Sequence, residues 1–237
     1  MAKHVSSRLG TALALAAAAL LGLVSQAGAQ NAPPTTDNLA HLVATGGSLR
    51  IGDKVFSDFD FVASGLTSFD PSQIRVTASM EDGIYYLTWA GNMSLVSASG
   101  PASADLVLNY RVTATQGLIN TIDQLYTGSA QPLGGSFLAV DETVRDSSGR
   151  IVANSHLDTD DLSDPFAEAG DNLNINPALR TVRVTKDISF GLISRGFITI
   201  SEVRQSFHQV PEASTAVLLG LGLALVGIVA FRQKLRT

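Results

Sequence analysis

Apolar and polar residues alternate along most of the middle of this chain, in short stretches separated by turn residues. The clearest stretch runs from Asp105 to Thr115. One of its faces would carry only apolar residues: Leu106, Leu108, Tyr110, Val112 and Ala114. Alternation of this kind predicts an antiparallel β-strand with one face in a core and the other in water.

The same period of two predicts strands at residues 48–51, 54–63, 73–80, 84–90, 137–145, 150–155, 180–190 and 196–208. In the stretch 54–63 one parity is mostly apolar, which predicts that it faces inward. That set is Val55, Ser57, Phe59 and Phe61. Glu81–Gly83 and Asp146–Gly149 are typical of hairpin turns. Residues 118–125 are compatible with either a helix or a strand.

One short helix is predicted from Asn38 to Ala44, with Asp37 or Asn38 as its N-cap. The rest of the pattern, short strands joined by Gly, Asp, Asn and Ser turns, is typical of all-β domains. We therefore predict an antiparallel, jelly-roll-like β-sandwich of about 9–11 strands over residues 30–209. It would lie between a signal helix in residues 1–29 and a transmembrane helix in residues 210–237.

The first 29 residues have the three parts of a secretory signal peptide. An apolar stretch at 9–24 follows a positively charged start formed by Lys3, His4 and Arg8. Ala27 and Ala29 form an A-x-A cleavage site, so we predict that the mature chain begins at Gln30.

The last 28 residues also have three parts in a fixed order. The first is a short motif formed by Val210, Pro211, Glu212, Ala213 and Ser214. An uncharged run of 17 residues, 215–231, follows. As a helix it would span roughly 26 Å, against a hydrocarbon core of about 30 Å. Arg232, Lys234 and Arg236 then end the tail and should stay cytoplasmic, which leaves the rest of the chain outside.

This order of parts resembles the PEP-CTERM sorting signal of exported bacterial proteins. The usual motif is V-P-E-P-S-T, and here Ala213 stands where the second proline is expected. The resemblance implies processing by exosortase, a membrane protease-transpeptidase that is thought to cleave near the motif. Residues 39–59, 141–143, 185–188 and 201–207 also resemble segments of PEP-CTERM exported proteins, which implies no particular chemistry.

Charge and cysteine content exclude several function classes. Of 21 acidic residues only Glu212 lies outside residues 30–209, and of 16 basic residues five lie outside, so this body carries a net charge of −9. An acidic body argues against nucleic acid as a partner. The chain has no cysteine, which excludes thiol nucleophiles and cysteine-based metal sites.

The sharpest local cluster of candidate ligands lies between residues 153 and 177, where acidic and amide side chains are dense. Oxygen ligands at this density suit Ca²⁺, the one cofactor that the sequence suggests. The candidate ligands are Asp158, Asp160, Asp161 and Asp164. The same composition is ordinary for a solvated loop, and the Gly and Glu of an EF-hand are missing.

Catalytic signals are weak. Glu142 has the parity of inward residues, which is compatible with a glycosidase acid, with a position at the rim of the sandwich, or with a partner of Arg111 or Arg183. Trp89 is compatible with a sugar platform or, better, with core packing. The three histidines of the body, His41, His156 and His208, lie in different elements without zinc-type spacing.

We therefore predict a non-enzymatic exported protein that exosortase sorts to the cell surface after transient anchoring by the C-terminal helix. The resemblance implies a structural or adhesive role near extracellular polysaccharide. One alternative is a carbohydrate- or calcium-binding module, which needs an ordered acidic loop or an exposed Trp89. The other is a glycoside hydrolase built on Glu142, which needs a second carboxylate in a cleft.

Overall fold

The computed structural model describes residues 32–131, 135–158 and 171–210 of the 237-residue chain. It contains one short helix, α1, at Leu39–Thr45. The first strands are β1 Thr35–Asn38, β2 Leu49–Ile51, β3 Lys54–Ser64, β4 Ser68–Phe69, β5 Arg75–Glu81, β6 Ile84–Ser97 and β7 Ala102–Ala114. The remaining strands are β8 Leu118–Gln131, β9 Ser136–Arg145, β10 Ile151–Asp158, β11 Asp171–Leu179, β12 Thr181–Leu192 and β13 Gly196–Val210.

The strands form two antiparallel sheets. The first sheet has the order β1-β5-β6-β13-β8-β11, with β4 paired to β6. The second sheet has the order β10-β9-β12-β7-β3-β2. After β6 the chain changes sheet at every connection except the β9–β10 hairpin, as in jelly-roll sandwiches. The predicted all-β sandwich is therefore confirmed, with thirteen described strands instead of about 9–11.

Large aromatic side chains from both sheets meet in the core. Tyr110 of the second sheet packs against Trp89 and Phe207 of the first, with ring centroids 5.1 and 6.3 Å apart. Phe56 lies 5.3 Å from Phe207 on the other side. All four side chains are at most 2% exposed. Burial of this apolar surface is the main favourable term that a chain without disulfides has available.

Local predictions are confirmed where the period is unambiguous. The helix α1 has Asn38 as its N-cap, with the side-chain oxygen accepting from the backbone N–H of His41 at 2.8 Å. Gly46 ends it in the left-handed region at φ 61°. In β7 the predicted apolar face is buried, and residues 118–125, which the pattern left open, belong to strand β8.

The inward face predicted for β3 is wrong in its first half. Lys54 and Phe56 are buried there, whereas Val55 and Ser57 face outward. The cause is a β-bulge, seen as a register shift between Ser57 and Asp60 against β7. Asp58 adopts φ 55° at this bulge, and the extra residue reverses the parity so that Phe59 points inward.

The acidic segment is also partly different from the prediction. Its last residues form an edge strand, β11, which pairs with β8, and Ile175 is buried there. Asp160, Asp161 and Asp164 lie outside the described residues. So do the signal peptide with Ala27, Ala29 and Gln30, and the tail from Pro211 to Thr237. Over the ranges that the structure describes, no helix has the length and apolar character needed to cross a membrane.

The hairpin between β9 and β10 is held by Asp146. Its carboxylate accepts from Ser148 through the backbone N–H at 2.9 Å and the hydroxyl at 2.6 Å. It also accepts from the backbone N–H and the Nε of Arg150, both at 3.1 Å. These donors, Ser148 first, lower the pKa of Asp146 to about 2.

We predict that Asp146→Ala lowers the melting temperature at neutral pH and flattens its acid dependence. The folded pKa lies below the ordinary value of about 3.9, so the stabilisation is present above that value and is lost as the pH falls towards 2. Thermal melts from pH 6 to pH 2 measure both effects. Equal pH slopes for the two proteins would contradict this role of the turn.

Candidate functional site

A buried polar cluster joins the two sheets. Lys186 of β12 is fully buried and lies opposite Glu142 of β9, which is 1% exposed. The Lys186 Nζ donates to Glu142 Oε2 and, at 2.6 Å, to Oε1 of Gln124 in the first sheet. Gln205 Nε2 donates to Glu142 Oε1 at 3.3 Å from the same side. The ion pair of the second sheet is thus enclosed by hydrogen bonds with two glutamines of the first sheet.

Glu142 points inward as its parity predicted, but its partner is Lys186. Arg111 and Arg183 have the opposite parity on their strands and face outward, so the arginine alternative is wrong. Burial raises the pKa of Glu142, Lys186 opposes this shift, and Asp171 adds to it by like-charge repulsion. The glycosidase alternative required a second carboxylate near Glu142 in a cleft, and Glu142 is 1% exposed with the cation Lys186 opposite it.

A serine, a histidine and an aspartate also meet on the outer face of the first sheet. Ser206 Oγ donates to Asp123 Oδ2 at 2.9 Å, and His208 Nε2 lies 2.7 Å from the same oxygen. Ser206 Oγ and His208 Nε2 are 3.3 Å apart. In a catalytic triad the histidine contacts serine and aspartate through different ring nitrogens. Here Nε2 faces both, so these three residues lack the triad arrangement.

Of the calcium candidates, the structure describes only Asp158. It ends β10, and its Oδ2 lies 3.4 Å from Nε2 of His156, whose Nδ1 is 2.7 Å from Asp141. These carboxylates raise the pKa of His156, Asp141 most strongly. Across residues 32–131, 135–158 and 171–210, no three His, Asp or Glu side chains are grouped so as to hold a metal ion.

Trp89 is 1% exposed and belongs to the core. The exposed tryptophan that a sugar-binding module would have needed is therefore not there. On the same strand the side chain of Tyr86 points outward, and the guanidinium of Arg204 covers its ring at 3.9 Å. Core packing, the better of the two interpretations of Trp89, is confirmed.

The outer face of the second sheet carries a feature that sequence reasoning missed. Three arginines lie in register across three neighbouring strands, with Arg183 of β12 opposite both Arg111 of β7 and Arg145 of β9. We call these three residues the arginine row. Arg111 is paired with Asp58 at 2.6 Å, and Arg145 donates to the backbone oxygen of Gly149 at 3.3 Å.

An open cleft of about 370 Å³ lies over part of the arginine row. Its walls are formed by Arg111, Ser147, Leu179, Arg180, Thr181 and Arg183. Arg183 is exposed and makes no ion pair with any described residue. Both lysines of residues 30–209, Lys54 and Lys186, are fully buried, so arginines supply all the surface cations of the acidic body.

The last strand leads directly into the predicted sorting tail. Strand β13 is an interior strand of the first sheet, and it pairs with β6 as far as Phe207 and with β8 as far as Val210. The side-chain oxygen of Gln209 accepts from Lys54, whose Nζ also donates to Asp53 at 2.8 Å and lies 4.1 Å above the ring of Tyr85. The residue before the Pro-Glu pair is thus still part of the folded sheet.

These observations define a class: a β-sandwich protein whose last interior strand runs into a tail with a sorting motif. The chain carries a PEP-CTERM protein-sorting motif, and the model of that motif matches residues 209–235. The resemblance of the tail is thereby confirmed, and the match begins at Gln209, inside β13. A motif of this kind implies export with transient membrane anchoring and later surface localisation.

Among solved structures, the chain is similar to TmCBM61 in complex with β-1,4-galactotriose, at 15% identity and a TM-score of 0.30, over 74% of this chain and 99% of that one. It is also similar to a carbohydrate-binding module of the β-sandwich superfamily, at 12% identity and a TM-score of 0.32, over 60% and 54%. A third is Arthrobacter globiformis T6 isomalto-dextranase with panose, at 11% identity and a TM-score of 0.27, over 64% and 34%.

Similarities at these TM-scores carry no argument about a ligand or a reaction. No curated protein sequence matches the chain.

Proposed function

We propose that this protein is a non-enzymatic exported protein that exosortase sorts to the cell surface, where it has a structural or adhesive role in extracellular polysaccharide. The observation that carries the proposal is the junction at Gln209 and Val210. There the matched motif begins inside strand β13, whose last two residues still pair with β8.

The contacts of this junction support cleavage after the body has folded. Gln209 pairs with Ile119 and Val210 with Leu118 in β8, and Lys54 ties the Gln209 side chain to the other sheet. Cleavage near Pro211 or Glu212 would leave all of these contacts in the released product. The released sandwich would then reach the cell surface with strand β13 complete and without the membrane anchor.

The side chains of the body support a non-catalytic role. Glu142 is enclosed with its lysine partner, and the Ser206, His208 and Asp123 side chains converge on a single carboxylate oxygen. Such a body suits binding or scaffolding, and its charged outer faces are the surfaces that remain for contact with a polysaccharide matrix.

The test is fractionation of the native host with and without its exosortase. We expect the protein in the extracellular or surface fraction of the parent strain, and a longer, membrane-bound form in the deletion strain. Ala213→Pro restores the usual motif, so the released fraction of this variant should equal or exceed that of the native sequence. Equal distributions in the parent and deletion strains would refute sorting by exosortase.

A further inference from the structure

The arginine row is an energetically unfavourable arrangement for a sheet face whose only role is to cover a core. Like charges placed directly opposite on neighbouring strands destabilise a sheet, and Arg183 faces an arginine on both sides. Strand spacing puts these positions roughly 4.8 Å apart. Among the described residues, only Asp58, paired with Arg111, offsets the charge of the row directly. An anion on this face would remove the repulsion.

The geometry points to a site at which the arginine row binds the carboxylate groups of an acidic polysaccharide that contains uronic acids. The inference rests on the proposed function and adds the ligand class and the site to it. Arginine presents a planar fork of donors that matches a carboxylate through two parallel hydrogen bonds. The walls of the cleft add Ser147 and Thr181, whose hydroxyls suit sugar oxygens.

A linear polymer fits this site better than a free anion does. The cations repeat across the strands from Arg111 through Arg183 to Arg145, and Arg180 adds a further cation to the wall of the cleft. The body as a whole carries a charge of −9, so an acidic polymer would be repelled elsewhere. Binding should therefore be confined to this patch and should weaken with added salt.

The probe is polygalacturonate, and the matched control ligand is fully methyl-esterified polygalacturonate, which has the same backbone without free carboxylates. The full-length chain in detergent is titrated with both, and also with galacturonic acid and inorganic phosphate. We expect binding to the free acid polymer only. If galacturonic acid or phosphate competes at concentrations equal to those of the polymer residues, the site is a small-anion site and the polymer inference is overturned.

The test variant is Arg183→Gln, because Arg183 makes no ion pair among the described residues and its loss should not disturb folding. The matched control is Arg75→Gln, which removes an exposed arginine from β5 in the other sheet. We expect polygalacturonate binding to fall roughly fivefold for Arg183→Gln, the weight of one exposed charge pair. A second change, Arg145→Gln, should weaken binding further, and Arg75→Gln should leave it within about twofold.

Stability gives a readout that a structural role would not share. Arg183→Gln relieves like-charge repulsion, so its melting temperature should equal or exceed that of the native protein. Polygalacturonate should raise the melting temperature of the native protein more than that of the variant. Equal binding by the Arg183→Gln and Arg75→Gln variants would overturn the site.

If the site fails but the protein still appears in the surface fraction, the proposed function stands. If the protein never leaves the membrane, the proposed function fails whatever the binding result.

Discussion

Replacing Lys186 with methionine should destabilise the protein by about 3–5 kcal/mol, the cost of leaving one member of a buried ion pair without its partner. Glu142 would then be enclosed without its cation, with only Gln205 still donating to it. At about 2–4 °C per kcal/mol for a domain of this size, the melting temperature should fall by roughly 10 °C. Urea denaturation of the full-length chain in a compatible detergent measures the free energy directly.

The double variant Glu142→Leu with Lys186→Met is the matched control. Both charges are then gone, and the remaining amides keep other partners, since Gln124 Nε2 donates to Ser155 and Gln205 Nε2 to the backbone oxygen of Asp123. We expect most of the lost stability to return, because apolar replacement of a buried pair is often neutral or stabilising. A cost below about 1 kcal/mol for Lys186→Met would mean that the pair is hydrated, as an exposed pair is.

Replacing Trp89 with alanine should cost about 3–5 kcal/mol, because it empties the centre of the sandwich. Its ring lies 5.1 Å from that of Tyr110 and is 1% exposed. Trp89→Phe keeps an aromatic contact with Tyr110 and should cost clearly less. Denaturant unfolding of the two variants beside the native protein measures the difference.

Fluorescence provides an independent check, because Trp89 is the only tryptophan in the chain. The emission of the folded protein should be that of an indole in an apolar environment, and it should move to longer wavelength on unfolding. Polygalacturonate should leave it unchanged. Native emission typical of an indole in water, or a direct response to sugar, would place Trp89 on the surface and contradict the buried position.

Alternation of apolar and polar residues was sufficient to predict the sandwich. In β7 one parity is apolar over the whole length, and in β12 Lys186 is its one polar member; the pleat converts that parity into an inner face. The predicted inward face was wrong in the first half of β3. The bulge there depends on the left-handed φ of Asp58, which the alternation of the preceding residues does not indicate. Alternation also failed at β11, whose polar residues are tolerated at the edge of a sheet.

The partner of Glu142 could have been predicted from the sequence. Lys186 shares its parity with Val184 and Ile188, both buried, so a lysine on that face had to find a carboxylate inside. The arginine row could not be predicted from the sequence in the same way. Arg111, Arg145 and Arg183 lie far apart in the chain and meet only through the register of three strands, which no local pattern specifies.

Sorting and cleavage can be tested by measuring the intact mass of the mature protein from its native host. We expect a product outside the inner membrane that begins at Gln30 and ends near Pro211 or Glu212, with strand β13 complete. A product that retains Phe231 and the basic end, in the inner membrane, would contradict it. The tail would then be a plain anchor, and Ala213 would be the first residue to change.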